Sequence, residues 1–116
     1  MLFVGISRAF SLLAEGQYNT IGAFWDEMSE LYGMENLHGL GYKWENGKIY
    51  YAIGLKDAEI EHSNFRIELT DDKWETVEGE TENLKSIYDV LYRSGPLKYE
   101  IETFDTDGKC RIMYYR

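Results

Sequence analysis

The chain writes the same order of elements twice. Two dipeptides, Asn46-Gly47 and Asp107-Gly108, stand about 61 residues apart, each between runs of strand-forming residues. Such pairs accept the left-handed backbone of a two-residue hairpin turn, so each marks a hairpin. A helix pattern precedes the first hairpin. Asn19 or Thr20 can cap it, Ile21, Phe24, Trp25, Met28, Leu31 and Tyr32 share one stripe, and Gly33 stops it. A second helix, over about Thr81–Arg93, carries Leu84, Ile87, Tyr88, Leu91 and Tyr92 on its stripe and ends at Gly95-Pro96. Each helix follows a strand, Leu2–Phe10 in the first unit and Lys73–Glu80 in the second. Between the units, Asn64–Leu69 reads as an extra strand and the acidic KDAEIEHS before it as a loop.

A β-α-β-β unit of this size cannot bury its own helix. Two of them, about residues 2–56 and 65–116, are therefore expected to share one antiparallel sheet with both helices on one face. The result is an α+β fold with pseudo-twofold symmetry and a ligand cleft where the repeats meet. A length of 116 residues suits one domain, which buries roughly two-thirds of the surface of its unfolded chain.

Tight turns at both dipeptides would fix the cross-strand partners. Around Asp107-Gly108, Thr103 would face Ile112, Ile101 would face Tyr114, and Glu102 would face Met113. Tyr99, Ile101, Thr103, Cys110, Ile112 and Tyr114 would then seat the helices, while Glu100, Glu102, Phe104, Arg111, Met113 and Tyr115 line the other side. Around Asn46-Gly47, Leu40, Tyr42, Trp44, Ile49, Tyr51 and Ile53 group together, against Gly41, Lys43, Tyr50, Ala52 and Gly54. Two acids beside a Phe on one strand face admit two explanations. One is a solvated surface on which Glu102 pairs with Arg111 for about 0–1 kcal/mol; the other is the floor of a cleft.

Composition removes several classes. The net charge of −9 argues against a nucleic-acid surface, which relies on Lys and Arg neutralising phosphates, and suits either solubility or a cationic ligand. Ten Tyr, three Trp and five Phe supply both core and potential cleft walls. The lone Cys110 has no internal disulfide partner and points to a reducing, cytoplasmic setting. The N-terminus MLFVGISRAF lacks the pattern of a signal peptide, and no apolar run reaches membrane-spanning length. His38 and His62 lack metal-ligand spacing, Cys110 suits core packing, and GLGY at Gly39–Tyr42 lacks the context of a phosphate loop. No metal or cofactor is implied.

Five stretches carry a family resemblance: VGIS at Val4–Ser7, IGAFWDEM at Ile21–Met28, YYAIGL at Tyr50–Leu55, KWETVEGE at Lys73–Glu80, and the terminal IETF with CRIMYY. In their order and spacing the sequence resembles the GyrI-like small-molecule-binding family. The same domain forms the effector-binding part of AraC-type and multidrug-sensing transcription regulators. The resemblance implies an aromatic cleft with one acid at its base in a Glu-x-aromatic pattern, here Glu102 and Phe104, and matches Trp25 to the family's helix Trp. Glu100, Tyr50, Met113 and Tyr115 complete the candidate ligand-binding set. The final RIMYYR departs from the Pro-containing apolar run common in the family, so the upper rim does not carry over.

Three functions follow from the resemblance. The first is a stand-alone module that binds lipophilic, cationic or planar compounds for sensing or sequestration. No helix-turn-helix fits within the chain, so promoter control would need a partner protein. The second is a hydrolase of cyclopropane-type genotoxins, with Glu102 as general base and Tyr50 or Tyr115 as donor. The third is a protein-binding inhibitor resembling DNA gyrase inhibitory protein.

Overall fold

The computed structural model describes residues 1–11, 17–69, 74–105 and 107–116. In chain order the elements are β1 (Leu2–Ser11), α1 (Gln17–Tyr32), β2 (His38–Glu45), β3 (Lys48–Lys56), β4 (Phe65–Glu68), β5 (Glu75–Glu80), α2 (Leu84–Arg93), β6 (Tyr99–Phe104) and β7 (Lys109–Tyr115). A short 3-10 turn at Thr81–Asn83 leads into α2, and α1 opens at Gln17, ahead of Asn19 and Thr20. The predicted strand over Lys73–Glu80 begins at Glu75; Lys73 lies outside the described residues.

The seven strands form one antiparallel sheet in the order β4-β1-β3-β2-β6-β7-β5. Leaving β4 aside, the order is mirrored about its centre, as two related halves joined edge to edge require. The joint is the pairing of β2 with β6: Gly39 with Glu102, Leu40 with Ile101, and Gly41 with Glu100. The 61-residue offset between the turns carries Leu40 onto Ile101, so the pseudo-dyad passes through that pair.

Both helices pack on one face of the sheet. Phe24, Trp25 and Met28 of α1 join Val4, Ile49, Tyr51 and Ile53, while Tyr88 and Leu91 of α2 pack on Ile112. Leu31, predicted to share the buried stripe of α1, is 68% exposed. The other face carries a second core of Phe3, Leu40, Ala52, Leu69 and Ile101, with Tyr42, Phe65, Trp74 and Met113 packed around it. Its rings stack closely, Tyr42 on Phe65 at 4.4 Å between centroids.

The hairpin registers correct the face assignments. The first turn is the two-residue Asn46-Gly47, both with positive φ (53° and 71°), and it pairs Trp44 with Ile49. A bulge between Gly41 and Lys43 then shifts the ladder, so Leu40 pairs with Ala52 rather than with Ile53. The second hairpin closes through a longer turn. The Asp105 carboxylate accepts from the backbone N–H of Asp107 and of Lys109, each at 2.9 Å, and the first ladder pair is Phe104 with Cys110. Glu102 therefore faces Ile112 instead of Met113, and Ile101 faces Met113 instead of Tyr114. A slip of one residue exchanges the two faces of a strand. Glu100, Glu102, Phe104, Cys110 and Ile112 lie on the helix side, while Tyr99, Ile101, Thr103, Arg111, Met113 and Tyr115 lie on the other.

Candidate functional site

The helices do not cover the centre of the sheet completely. Between them lies a cavity of about 430 Å³, walled by Trp25 of α1, Ile49 and Tyr51 of β3, Tyr88 and Tyr92 of α2, and Phe104 of β6, with Glu100 and Glu102 on its floor. The cavity sits over the β2–β6 joint, and its floor depends on two missing side chains. A Cβ on Gly39 would stand 1.9 Å from the Tyr51 hydroxyl, and one on Gly41 would stand 2.8 Å from the Glu100 carboxylate. Glycine at these positions leaves room for the polar groups reaching across from β3 and β6, strictly at Gly39 and less so at Gly41.

A hydrogen-bond chain crosses the site. Trp25 donates its indole N–H to the Tyr51 hydroxyl at 2.8 Å, and Tyr51 donates in turn to Glu102. Trp25 also stands edge-on to Phe104, with ring centroids 4.9 Å apart. On the other side, Tyr92 donates to both oxygens of Glu100, at 2.9 and 3.1 Å, and stacks on Tyr88. The Tyr88 hydroxyl is different: it is buried and makes no hydrogen bond. It approaches Glu102 closely enough to favour the ionised carboxyl, but the contact falls short of hydrogen-bond geometry.

Both acids are nearly inaccessible, at 2% exposure for Glu100 and 4% for Glu102. Removing a carboxylate from water favours its neutral form. Burial pushes the Glu102 carboxyl up to about 7, against the opposing hydrogen bond from Tyr51. Burial, reinforced by the neighbouring Glu102, holds the Glu100 carboxyl well above the usual range, and the Tyr92 donor offsets part of this. Burial first and Glu102 second raise the Tyr51 hydroxyl. No lysine, arginine or histidine lines the cavity among the described residues. Arg111, the expected surface partner of Glu102, lies on the opposite face and pairs with Glu78 at 3.0 Å.

Of the predicted site residues, Trp25, Glu100, Glu102 and Phe104 come together around one cavity. Tyr50, Met113 and Tyr115 do not. Tyr50 stands on the opposite face beside Tyr42, Met113 joins the second core, and Tyr115 packs against Trp74. Sequence reasoning missed Tyr51, Tyr88 and Tyr92. The last two were legible as helix-stripe residues, and their hydroxyls were the signal that the stripe is not purely core. Tyr51 was hidden by the bulge.

No family model matches the sequence, and no curated protein matches it at a significant level. Among solved structures, the chain is similar to SAV2435 bound to tetraphenylphosphonium. The TM-score is 0.68, over 98% of this chain and 87% of that one, at 14% identity. A likeness at that identity is one of fold: this chain shares the α+β architecture of a protein solved with a lipophilic cation.

Proposed function

We propose that this chain is a small-molecule-binding protein of the GyrI-like kind that takes lipophilic cations into the cavity between its helices, for sensing or sequestration. The observation that carries the reading is Glu102, a buried carboxylate on the floor of an aromatic cavity whose described lining residues offer it no cation. A bound organic cation supplies the missing charge, and the ring faces of Trp25, Tyr88 and Phe104 add about 0.5–2 kcal/mol each where they are reached. Flat walls with few directional donors favour breadth over sharp selectivity. The similarity to a protein solved with tetraphenylphosphonium supports the same ligand class.

The test is titration with tetraphenylphosphonium, followed by quenching of the tryptophan fluorescence; of the tryptophans, only Trp25 lines the cavity among the described residues. Saturable quenching is expected, and Glu102→Gln should weaken it by about tenfold or more, the worth of one charge-assisted contact in a dry site. Absence of quenching in the wild type, or an unchanged affinity in a folded Glu102→Gln variant, would overturn the reading.

The hydrolase alternative has one observation in its favour: a carboxyl pushed to about 7 suits a general base at neutral pH. Its hydroxyl donor would be Tyr51 or Tyr88, since Tyr50 and Tyr115 face away from Glu102. Turnover of a cyclopropane electrophile, lost in Glu102→Gln, is the outcome that would favour it over simple binding.

A further inference from the structure

We propose that Glu100 and Glu102 form a paired anionic subsite, and that the cavity is shaped for compact aromatic dications. The inference rests on the small-molecule reading above and narrows its ligand class.

Residues two apart on a strand stand side by side on one face, with backbones about 6.6 Å apart. Glu100 and Glu102 hold this relation on β6, both buried and both on the cavity floor. Glu100 accepts from Tyr92 and Glu102 from Tyr51, with the Tyr88 hydroxyl close to Glu102 but short of hydrogen-bond geometry. One neutral donor satisfies a small part of what a carboxylate can accept.

A second observation, the state of a hydroxyl on α2, also points to a ligand. The Tyr88 hydroxyl lines the same cavity, is almost wholly buried, and has no hydrogen-bond partner. Its isolation has a structural origin. Leu84, Ile87, Tyr88 and Leu91 of α2 repeat the spacing of Ile21, Phe24, Trp25 and Met28 of α1, so Tyr88 stands where Trp25 stands in the first half. Trp25 finds Tyr51. The residue that corresponds to Tyr51 is Ile112, against which Tyr88 packs and which offers no polar atom. A buried hydroxyl without a partner costs about 1–3 kcal/mol, a cost relieved when something polar enters.

Among the described residues, the groups facing the pair from the neighbouring elements are neutral or acidic. They are Trp25 and the rim residue Asp26 from α1, Tyr51 from β3, Tyr88 and Tyr92 from α2, Cys110 from β7, and Asp105 at the rim after β6. Nothing in this set neutralises even one of the carboxyls. A single positive charge can match one of them, leaving the other protonated. Two positive charges at strand spacing match both, and the second carboxyl then gives up its proton to solvent.

The experiment compares methyl viologen, two joined pyridinium rings, with N-methyl-phenylpyridinium, which has nearly the same shape and one charge. Calorimetry in buffers of different ionisation enthalpy at neutral pH reads affinity and protons released. The dication should bind about tenfold tighter or more and release about one more proton per molecule bound. Glu100→Gln should abolish that preference and the additional proton released with it. Equal affinities, no additional proton, or a preference that survives Glu100→Gln would overturn the pairing while the monocation still binds. If neither cation binds, the reading of the cavity as a cation site fails with it. Should Glu100→Gln not fold, the proton count on the wild type decides.

Discussion

The two strands at the centre of the sheet are related by the repeat and opposite in chemistry. Where β6 places Glu100 and Glu102, the corresponding positions of β2 are Gly39 and Gly41, and each glycine pairs with the acid of the other position. One half contributes carboxylates and the other contributes the absence of side chains. The cavity needs both, because side chains on β2 would crowd its floor and neutral residues on β6 would leave that floor without acids. The repeat thus supplies a symmetrical scaffold, and the site arises where the symmetry is broken.

The largest expected effect lies at the glycine with no room to spare. Gly39→Ala drives a Cβ into the Tyr51 hydroxyl, and with it the chain from Trp25 to Glu102. A loss of about 3–4 kcal/mol in urea denaturation is expected. Gly41→Ala meets the movable end of Glu100 and should cost about 1 kcal/mol. Equal costs at the two positions would break the comparison.

Next comes pH. A carboxyl pushed to about 7 in the fold, against an ordinary value near 4.5, binds its proton more tightly when folded. Stability is therefore greatest below about pH 4.5 as far as Glu102 is concerned, and is lost as pH rises through about 7, by roughly 3 kcal/mol. Glu100 acts with the same sign. Denaturation curves across this range should show the loss in the wild type and a smaller one in Glu102→Gln.

The paired aromatics of the helices should respond with opposite signs. Trp25→Phe removes a satisfied donor and some packing, and should cost about 2 kcal/mol. Tyr88→Phe removes a donor that has no partner, and should stabilise the empty protein by about 1 kcal/mol. Thermal melts of both variants would show it. Of similar size is the effect at the turn glycines, Gly47 and Gly108, with φ of 71° and 79°. Alanine at either should cost about 1 kcal/mol, since positive φ penalises a Cβ alike in both halves.

Much of this architecture was legible in the chain. The repeat, both helix stripes and both hairpins follow from turn dipeptides and periodicity, and the alternation of β6 puts Glu100, Glu102 and Phe104 together. The registers were not legible. One residue is absorbed by a bulge beside Tyr42 in the first hairpin and by a longer turn after Asp105 in the second. Neither leaves a mark on periodicity, yet each exchanges the faces beyond it. That is why Tyr50, Met113 and Tyr115 entered the candidate ligand-binding set, and why Tyr51 did not. Leu31 satisfied the helical spacing and still faces solvent, while Tyr32 beside it packs on the core.

The joint between β2 and β6 has one more consequence. Chain division between β4 and β5 would leave one fragment with α1 and the glycines, and another with α2 and both acids. Neither fragment alone would wall the cavity. Only their reunion would rebuild the chamber, so a molecule seated there would act as a clasp, and the extent of reassembly would serve as a gauge of how much of it is present.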